Sequence, residues 1–241
     1  MERCAKEEFL ACCIARLIGD ARHVAVGAAS PIPAAGAFLS GLLAERNMRI
    51  SLLHKRKGNP FTEGSRELFD LAGQGRIDVF FLGGAQIDGE ANINLVRAEG
   101  KRFPGSFGSA FMYFAAGRTI LFREEHSKRV LVPKVDFISA PGWSPPGVER
   151  RGGPQALLTG KALFAWQKDR RRFRLESIHP GHTLEEIVDL TGFEFDREPA
   201  MKSTPVPQSE ELALIRGAVA KEIAANYPEF AARVWNAGAA A

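Results

Sequence analysis

The stretch Phe80-Phe81-Leu82-Gly83-Gly84-Ala85-Gln86-Ile87-Asp88-Gly89-Glu90-Ala91-Asn92-Ile93-Asn94 combines bare backbone with neutral hydrogen-bonding side chains. Gly83 and Gly84 carry no Cβ, so a ligand or a second backbone can come close. Gln86, Asn92 and Asn94 offer amide donors and acceptors without net charge. Two readings are open: a ligand-binding loop, or a glycine turn dressed with polar residues. The apolar run just before it, Ile77 to Leu82 broken only by Asp78, reads as a buried strand. In an open α/β sheet, ligands bind in the crevice outside the carboxyl ends of the strands, which is where the Gly-Gly pair falls.

Other elements must hold that strand in place. Residues 3–18 place Phe9, Cys13 and Leu17 at helical spacing, with Leu10 and Ile14 beside them. His23 to Val26 reads as a strand, and Ser30-Pro31 as a helix start with proline at the first helical position. A second strand is expected over Arg49 to Leu53 and a helix over Glu63 to Leu71. This alternation predicts a mostly parallel sheet covered by helices on both faces. The later half is richer in strands, expected at Thr119–Phe122, Arg129–Leu131, Asp136–Ser139, Ala162–Trp166 and Phe173–Ile178. The segment Ala140-Pro141-Gly142-Trp143-Ser144-Pro145-Pro146-Gly147 reads as a loop. Thr183 starts a capped helix with Glu186 placed for a capping box. Pro199 to Pro207 reads as an extended linker to a C-terminal helix over Ser209–Ala225, and Ala237 to Ala241 as a frayed tail.

Composition narrows the class. A chain of 241 residues with 45% hydrophobic content can form one large α/β domain or two small ones, and a single domain over 1–241 is expected. No apolar run reaches the roughly 18 residues that a membrane span needs, so no membrane partner is expected. The acidic, amphipathic start does not read as a signal peptide. Cys4, Cys12 and Cys13 fall in one helix and read as buried small residues of a reduced, cytoplasmic protein. No histidine stands where a metal site would need it, so neither a metal nor a redox cofactor is expected. The net charge is a modest +4. Its basic residues gather in His54-Lys55-Arg56-Lys57 and in Lys168-Asp169-Arg170-Arg171-Arg172-Phe173-Arg174. The second cluster holds a single aromatic between strand-like runs, so a solvated hairpin turn is expected there and no nucleic acid.

Gly-Gly-Ala-Gln-Ile-Asp followed by Asn-Ile-Asn resembles the signature loop in the β subunit of heteromeric CoA-transferases, the glutaconate CoA-transferase type in particular. Other segments agree, in the family's order. They include Val24-Ala25-Val26-Gly27, Ser30-Pro31-Ile32-Pro33-Ala34-Ala35-Gly36-Ala37, Arg66-Glu67-Leu68-Phe69 and Gly75-Arg76-Ile77-Asp78-Val79. Arg102-Phe103-Pro104-Gly105-Ser106-Phe107-Gly108-Ser109-Ala110 resembles the family's second glycine loop. Lys128–Val132 and Val135–Ser139 resemble its later strands. The resemblance covers roughly residues 4 to 225 and implies the CoA-transferase β-subunit fold, with a more strand-rich second half.

It also implies a function. The β subunit works with a separate α subunit, as an (αβ)2 assembly, on a coenzyme A thioester. A glutamate attacks the thioester, CoA moves onto the enzyme as a glutamyl thioester, and glycine-loop amides hold the oxyanion. Gly83, Gly84, Gln86, Asn92 and Asn94 are then the residues expected to meet the ligand, with Gly108 and Ser109 lining the carbonyl pocket. Where the family carries its glutamate, just after the second strand, this chain has His54-Lys55-Arg56-Lys57-Gly58-Asn59-Pro60 and no carboxylate. Glu63 is the first acid downstream; it is a candidate nucleophile or a helix-start acid complementing the dipole. The resemblance extends to the subunits of bacterial steroid ring-opening hydrolases, in which the key glutamate belongs to the α subunit. A non-catalytic ligand-binding protein on the same scaffold is the other alternative. The Ser-x-His-Pro-Gly segment at His179 reads as a structural turn.

Overall fold

The computed structural model describes residues 4–53, 55, 61 and 63–236. The segment His54–Pro60, apart from Lys55, and the tail 237–241 therefore lie outside the described residues. In chain order the first elements are α1 (Lys6–Ile18), β1 (His23–Val26), α2 (Pro31–Leu43), β2 (Arg49–Leu52), α3 (Ser65–Gly73) and β3 (Val79–Leu82). Four short strands follow: β4 (Gln86–Ile87), β5 (Ile93–Asn94), β6 (Arg97–Ala98) and β7 (Lys101–Arg102). Then come α4 (Ser109–Ala115), β8 (Arg118–Arg123), β9 (Pro154–Thr159), β10 (Ala162–Gln167), β11 (Arg172–Ile178), α5 (Leu184–Leu190) and β12 (Asp196–Ser203). The chain ends in α6 (Ser209–Leu214), α7 (Ala220–Asn226) and α8 (Pro228–Ala231), with a π-helical turn at Ile215–Val219 joining α6 to α7.

These elements divide into two compact units. The first comprises Met1–Gly64, Ile77–Val79 and Val206–Ala241. Its strands run in the order β3-β1-β2, with β1 and β2 parallel and His23 opposite Arg49. A parallel pair needs a crossover, which α2 supplies. Pro31 opens α2 as the spacing predicts, while the Ser30 hydroxyl turns back to donate to the Ala28 carbonyl. Helices α1 and α2 approach so closely at Gly36 that a Cβ there would stand 2.4 Å from the Ile14 side chain. The C-terminal helices are tied to α1 through Arg216 on Glu8 and Arg16 on Glu211, each pair at 2.7 Å. Cys12 and Cys13 are buried in this packing, and burial pushes both thiols up to about 12.

The second unit comprises Ser65–Arg76 and Phe80–Pro205. Its strands run β12-β11-β10-β9-β8-β3. Strand β8 pairs with β9 in parallel, β9, β10 and β11 form antiparallel hairpins, and β12 returns parallel to β11. The pairing of the strands is mixed and mostly parallel, with helices flanking them, as the alternating pattern predicts. The turn Lys168–Arg171 joins β10 to β11 as the expected hairpin.

Four expectations need correction. Arg129–Leu131 is a turn ending in a single bridge from Leu131 to Ile87, and Asp136–Ser139 is an irregular strap. Proline at 133 denies that segment a ladder donor, and the place beside β8 is filled by β9. Strand β9 itself, which follows Gly152-Gly153, is not among the expected strands. The helix expected from Glu63 begins at Ser65, after a turn in which Gly64 takes φ +67°. Residues 199–203 of the expected linker are the second half of β12. Pro199 is tolerated because β12 is the last strand of the sheet, where proline has no ladder bond to lose on its open side.

Candidate functional site

Strand β3 is fully buried and ends at Gly83. A Cβ on Gly83 would lie 2.7 Å from the Phe122 carbonyl of β8, and one on Gly84 would lie 2.7 Å from the Gln86 carbonyl. Both glycines are therefore needed for close backbone approach. Beyond them the chain folds into the β4–β5 hairpin, with Gln86 opposite Asn94 and Ile87 opposite Ile93.

The polar side chains of the hairpin are turned inward. Gln86, Asp88, Asn92 and Asn94 are all buried. Asn94 donates from Nδ2 to Gln86 Oε1 at 2.8 Å and to the Arg97 carbonyl at 2.7 Å. Its Oδ1 accepts from the Val96 N–H at 3.1 Å. Gln86 Oε1 also accepts from the Asp136 N–H at 3.0 Å. The hub is Asp88, which closes the Gly-Gly-Ala-Gln-Ile-Asp segment but is not among the residues expected to meet the ligand. Its carboxylate accepts from the N–H groups of Glu90 (3.1 Å), Asn92 (3.0 Å) and Val135 (3.4 Å), and from Asn92 Nδ2 (3.2 Å). Burial raises the Asp88 pKa above its usual 3.8, while these donors pull toward the ionised form. The carboxylate also closes the turn in which Ala91 takes φ +59°, a conformation that non-glycine residues rarely adopt.

Asn92 Oδ1 accepts from the Gly142 N–H at 3.1 Å, and Ser139 Oγ bridges the Leu95 N–H and the Ile93 carbonyl. The strap 131–142 is thereby bound to the hairpin along its length. A Cβ on Gly142 would stand 2.2 Å from the Glu90 carbonyl. Helix α4 is joined to the same hairpin: the buried Tyr113 hydroxyl donates to the Ala91 carbonyl at 3.0 Å. One turn earlier, Gly108 precedes α4 and abuts Phe69 of α3, where a Cβ would come within 2.2 Å of the ring. Half-buried Ser109 directs its hydroxyl to the Ser106 carbonyl. The structure thus brings Gly83, Gly84, Gln86, Asn92 and Asn94 into one rigid loop, with Gly108 and Ser109 on the helix that braces it. What this arrangement can offer a ligand is chiefly main chain, fixed in place by side chains that bond to one another.

The sequence profile of the coenzyme A transferase family matches residues 44–190, more than half of the 241-residue chain and including the whole loop. The chain belongs to the coenzyme A transferase family. The B polypeptide of glutaconate CoA-transferase from Acidaminococcus fermentans is 31% identical over 150 residues, covering 57% of this chain and 55% of that protein. The B polypeptide of 3-oxoadipate CoA-transferase from Pseudomonas knackmussii is 31% identical over 163 residues, covering 63% and 62%. The cholesterol ring-cleaving hydrolase IpdB subunit of Rhodococcus jostii is 30% identical, also covering 63% and 62%. The match thus spans little more than half the length of these curated relatives. Among solved structures, the decarboxylase AibA/AibB is 25% identical at a TM-score of 0.69, covering 88% of this chain and 93% of that one. The glutaconate coenzyme A-transferase of Acidaminococcus fermentans shares the fold at a TM-score of 0.77 and 23% identity, over 89% of this chain and 94% of that one.

Within this family fold the other expected residues fall as follows. Glu63 stands in the exposed turn before α3. His179 is buried, with Nδ1 2.8 Å from Thr204 Oγ1 and Nε2 3.0 Å from the Thr159 carbonyl, which suits the structural reading of its turn. His126 is buried between the hydroxyls of Thr159 and Thr191, at 2.8 and 3.0 Å. Burial lowers its pKa to about 4, with Lys161 adding to the effect, so the ring is neutral at pH 7. Among the described residues no three of His, Cys, Asp and Glu gather in a way that could hold a metal ion. No helix among them is long and apolar enough to cross a membrane.

Proposed function

We propose that the chain is the β subunit of a heteromeric enzyme of the coenzyme A transferase type. It would pair with a separate α subunit, as an (αβ)2 assembly, and hold a CoA thioester. The observation that carries this reading is the loop Gly83–Asn94, which stands at the carboxyl end of β3 inside the span matched by the family. Gly83 and Gly84 let the loop pack tightly against β8 and its own hairpin, which sets the position of the main chain offered to the thioester arm. Gln86, Asn92 and Asn94 serve the ligand through the shape they impose on that backbone, and Gly108 and Ser109 through the bracing helix.

The reaction that fits first is CoA transfer between carboxylic acids. A carboxylate attacks the thioester carbonyl and releases CoA thiolate. The thiolate then reopens the anhydride to leave an enzyme thioester, and the steps reverse on the second acid. Residues 54–60 hold no acid to do this, so the carboxylate belongs to the α subunit, with Glu63 as the alternative. That same gap favours a second reading: a diverged hydrolase or lyase acting on a carbon–carbon bond while CoA stays attached. Relatives named as a ring-cleaving hydrolase subunit and a decarboxylase support it. A binding protein without catalysis is the remaining alternative. The three free cysteines fit a reducing, cytoplasmic setting.

Native mass spectrometry of the chain co-expressed with an α-type subunit encoded beside it tests the assembly, with and without acyl-CoA. The expected result is a mixed assembly that gains the ligand's mass. A homomer that ignores acyl-CoA would sink the proposal. Incubation with acyl-CoA and a second carboxylic acid then separates the reactions: transfer yields a new acyl-CoA, and carbon–carbon cleavage yields a shortened or opened acyl group still on CoA.

A further inference from the structure

A cavity of about 640 Å³ in the second unit has no part in the loop chemistry described above. Its walls come from Trp143, just after the strap, the segment Arg150–Pro154, and the β10–β11 hairpin with Trp166, Lys168 and Arg171. Cavities of roughly 300–1,000 Å³ suit a single small ligand.

The charge around it is unbalanced. Arg150 is half-buried and donates to three carbonyls, those of Gly152 (3.0 Å), Pro141 (2.8 Å) and Tyr113 (2.9 Å), with its guanidinium 4.8 Å from the Tyr113 ring centroid. No carboxylate among the described residues neutralises it, and burial pulls its pKa down. In the hairpin the basic residues divide into two sets. Arg170 and Arg172 pair with Asp196, and Arg174 pairs with Glu176 and Glu198. Lys168 and Arg171 have no carboxylate partner among the described residues, and both line the cavity. Arg151 also lines it, with no ion pair among the described residues. Asp169 is the one acid among the lining residues.

The aromatic groups have matching geometry. The Arg171 guanidinium lies 3.9 Å from the Trp143 ring centroid, a stacked arrangement that makes a planar, cationic platform. Trp166 stands in the same cavity, steadied edge-on by Phe173 at 5.1 Å. A planar base stacks on such groups, and the surrounding cations receive phosphate. A nucleic-acid strand would need a continuous basic track, and the carboxylate pairs of Arg170, Arg172 and Arg174 interrupt one here.

We propose that the cavity between Trp143, Trp166, Arg171 and Lys168 binds a phosphorylated purine nucleoside. Two sources carry that chemistry. One is the nucleotide end of a CoA thioester, which rests on the function proposed above; the other is a free adenine nucleotide acting as an effector. The signature loop reaches this site mechanically, because Asn92 holds the Gly142 N–H next to Trp143.

Tryptophan emission of the full chain, titrated with adenosine 3′,5′-bisphosphate, ADP, CoA and inorganic pyrophosphate, tests the site. Saturable quenching by adenosine bisphosphate is expected, with pyrophosphate about tenfold weaker because it has no base to stack. Arg171→Ala and Lys168→Ala, both at exposed positions, should each weaken the nucleotide by about tenfold; Trp143→Phe should abolish most of the quench. Competition by CoA identifies the substrate's own nucleotide, and binding of ADP without CoA competition identifies a free nucleotide. No saturable change up to millimolar nucleotide, or affinity untouched in Arg171→Ala and Lys168→Ala, would overturn the site. Acyl-CoA bound by the αβ assembly with unchanged affinity in both variants would remove CoA as the source and leave the proposed enzyme standing.

Discussion

In the hairpin Gln86–Asn94 four polar side chains are buried and bonded to neighbouring groups of the same unit, whereas around Lys168–Arg171 the polar side chains are exposed and two cations lack a carboxylate among the described residues. The first region is the one whose sequence invites a binding assignment. Its carboxamides have the right chemistry, but Asn94 and Asn92 each use both ends of the amide on the loop and its strap. Buried polar groups left without a partner are costly, so a loop dense in them must satisfy them internally. The second region reads in sequence as a solvated turn. Carboxylates of the fold neutralise Arg170, Arg172 and Arg174 and leave Arg171 stacked on an indole. The difference teaches that residues forming a site's shape and residues meeting a ligand can be exchanged when only types and spacing are known.

The sharpest way to break this comparison is to remove the hub of the first region. Asp88→Ala strands four N–H donors at once, three of them buried. Each unsatisfied buried donor costs roughly 1–3 kcal/mol, and partial relaxation brings the expected loss to about 3–5 kcal/mol. Urea denaturation of the purified chain measures it. A loss below about 1 kcal/mol would mean that water replaces the carboxylate easily and that the loop is not held from within.

A second buried polar group extends the same logic to pH. His126 titrates near 4 in the fold against 6.5 when unfolded. The lowered value means that the unfolded chain binds the proton more tightly. The stabilising contribution is complete above pH 6.5 and is lost as pH falls toward 4, by up to about 3 kcal/mol. Unfolding free energies at pH 7.5 and 4.5, compared between the wild type and His126→Asn, isolate this from the carboxylates. A pH slope equal in both proteins would show that the ring protonates without penalty in the fold.

How much of this was legible depended on whether a residue's role was local. Strands β1, β3 and β10 follow from short apolar runs, the start of α2 from Ser30-Pro31, and the helix cap at Thr183 from its spacing to Glu186, whose N–H bonds the Thr183 hydroxyl. The Glu186 side chain is a different matter, since it turns to Lys161 and His182. The glycines of the loop were visible as glycines, but the reason for Gly83, the carbonyl of Phe122 nearly forty residues on, was not. Val130 and Val135 have strand-forming composition and yet lie in irregular chain, because their main chain is committed to the hairpin. The anion-receptive cavity was hidden for the same reason. Its cations are adjacent in sequence to others that the sheet neutralises, and only the pairing with Asp196 and Glu198 separates them.

The smallest expected effect completes the comparison from the other side. If Lys168 and Arg171 face a ligand and hold no structure, Lys168→Ala should change the unfolding free energy by less than about 0.5 kcal/mol, as exposed substitutions usually do. Arg171→Ala should cost somewhat more, about 0.5–1 kcal/mol, because it gives up stacking on Trp143 at an exposed site. Arg171 also sits at φ +49° at the end of the hairpin turn, a strain that alanine would share, so the backbone contribution should cancel between the two proteins. Denaturation midpoints of the two variants beside the wild type supply the measurement. A loss above about 2 kcal/mol for Arg171→Ala would mean that the guanidinium–indole stack ties the hairpin to the strap as firmly as Asp88 ties the signature loop. The two regions would then be built alike, and the exposed cations would be fold residues after all.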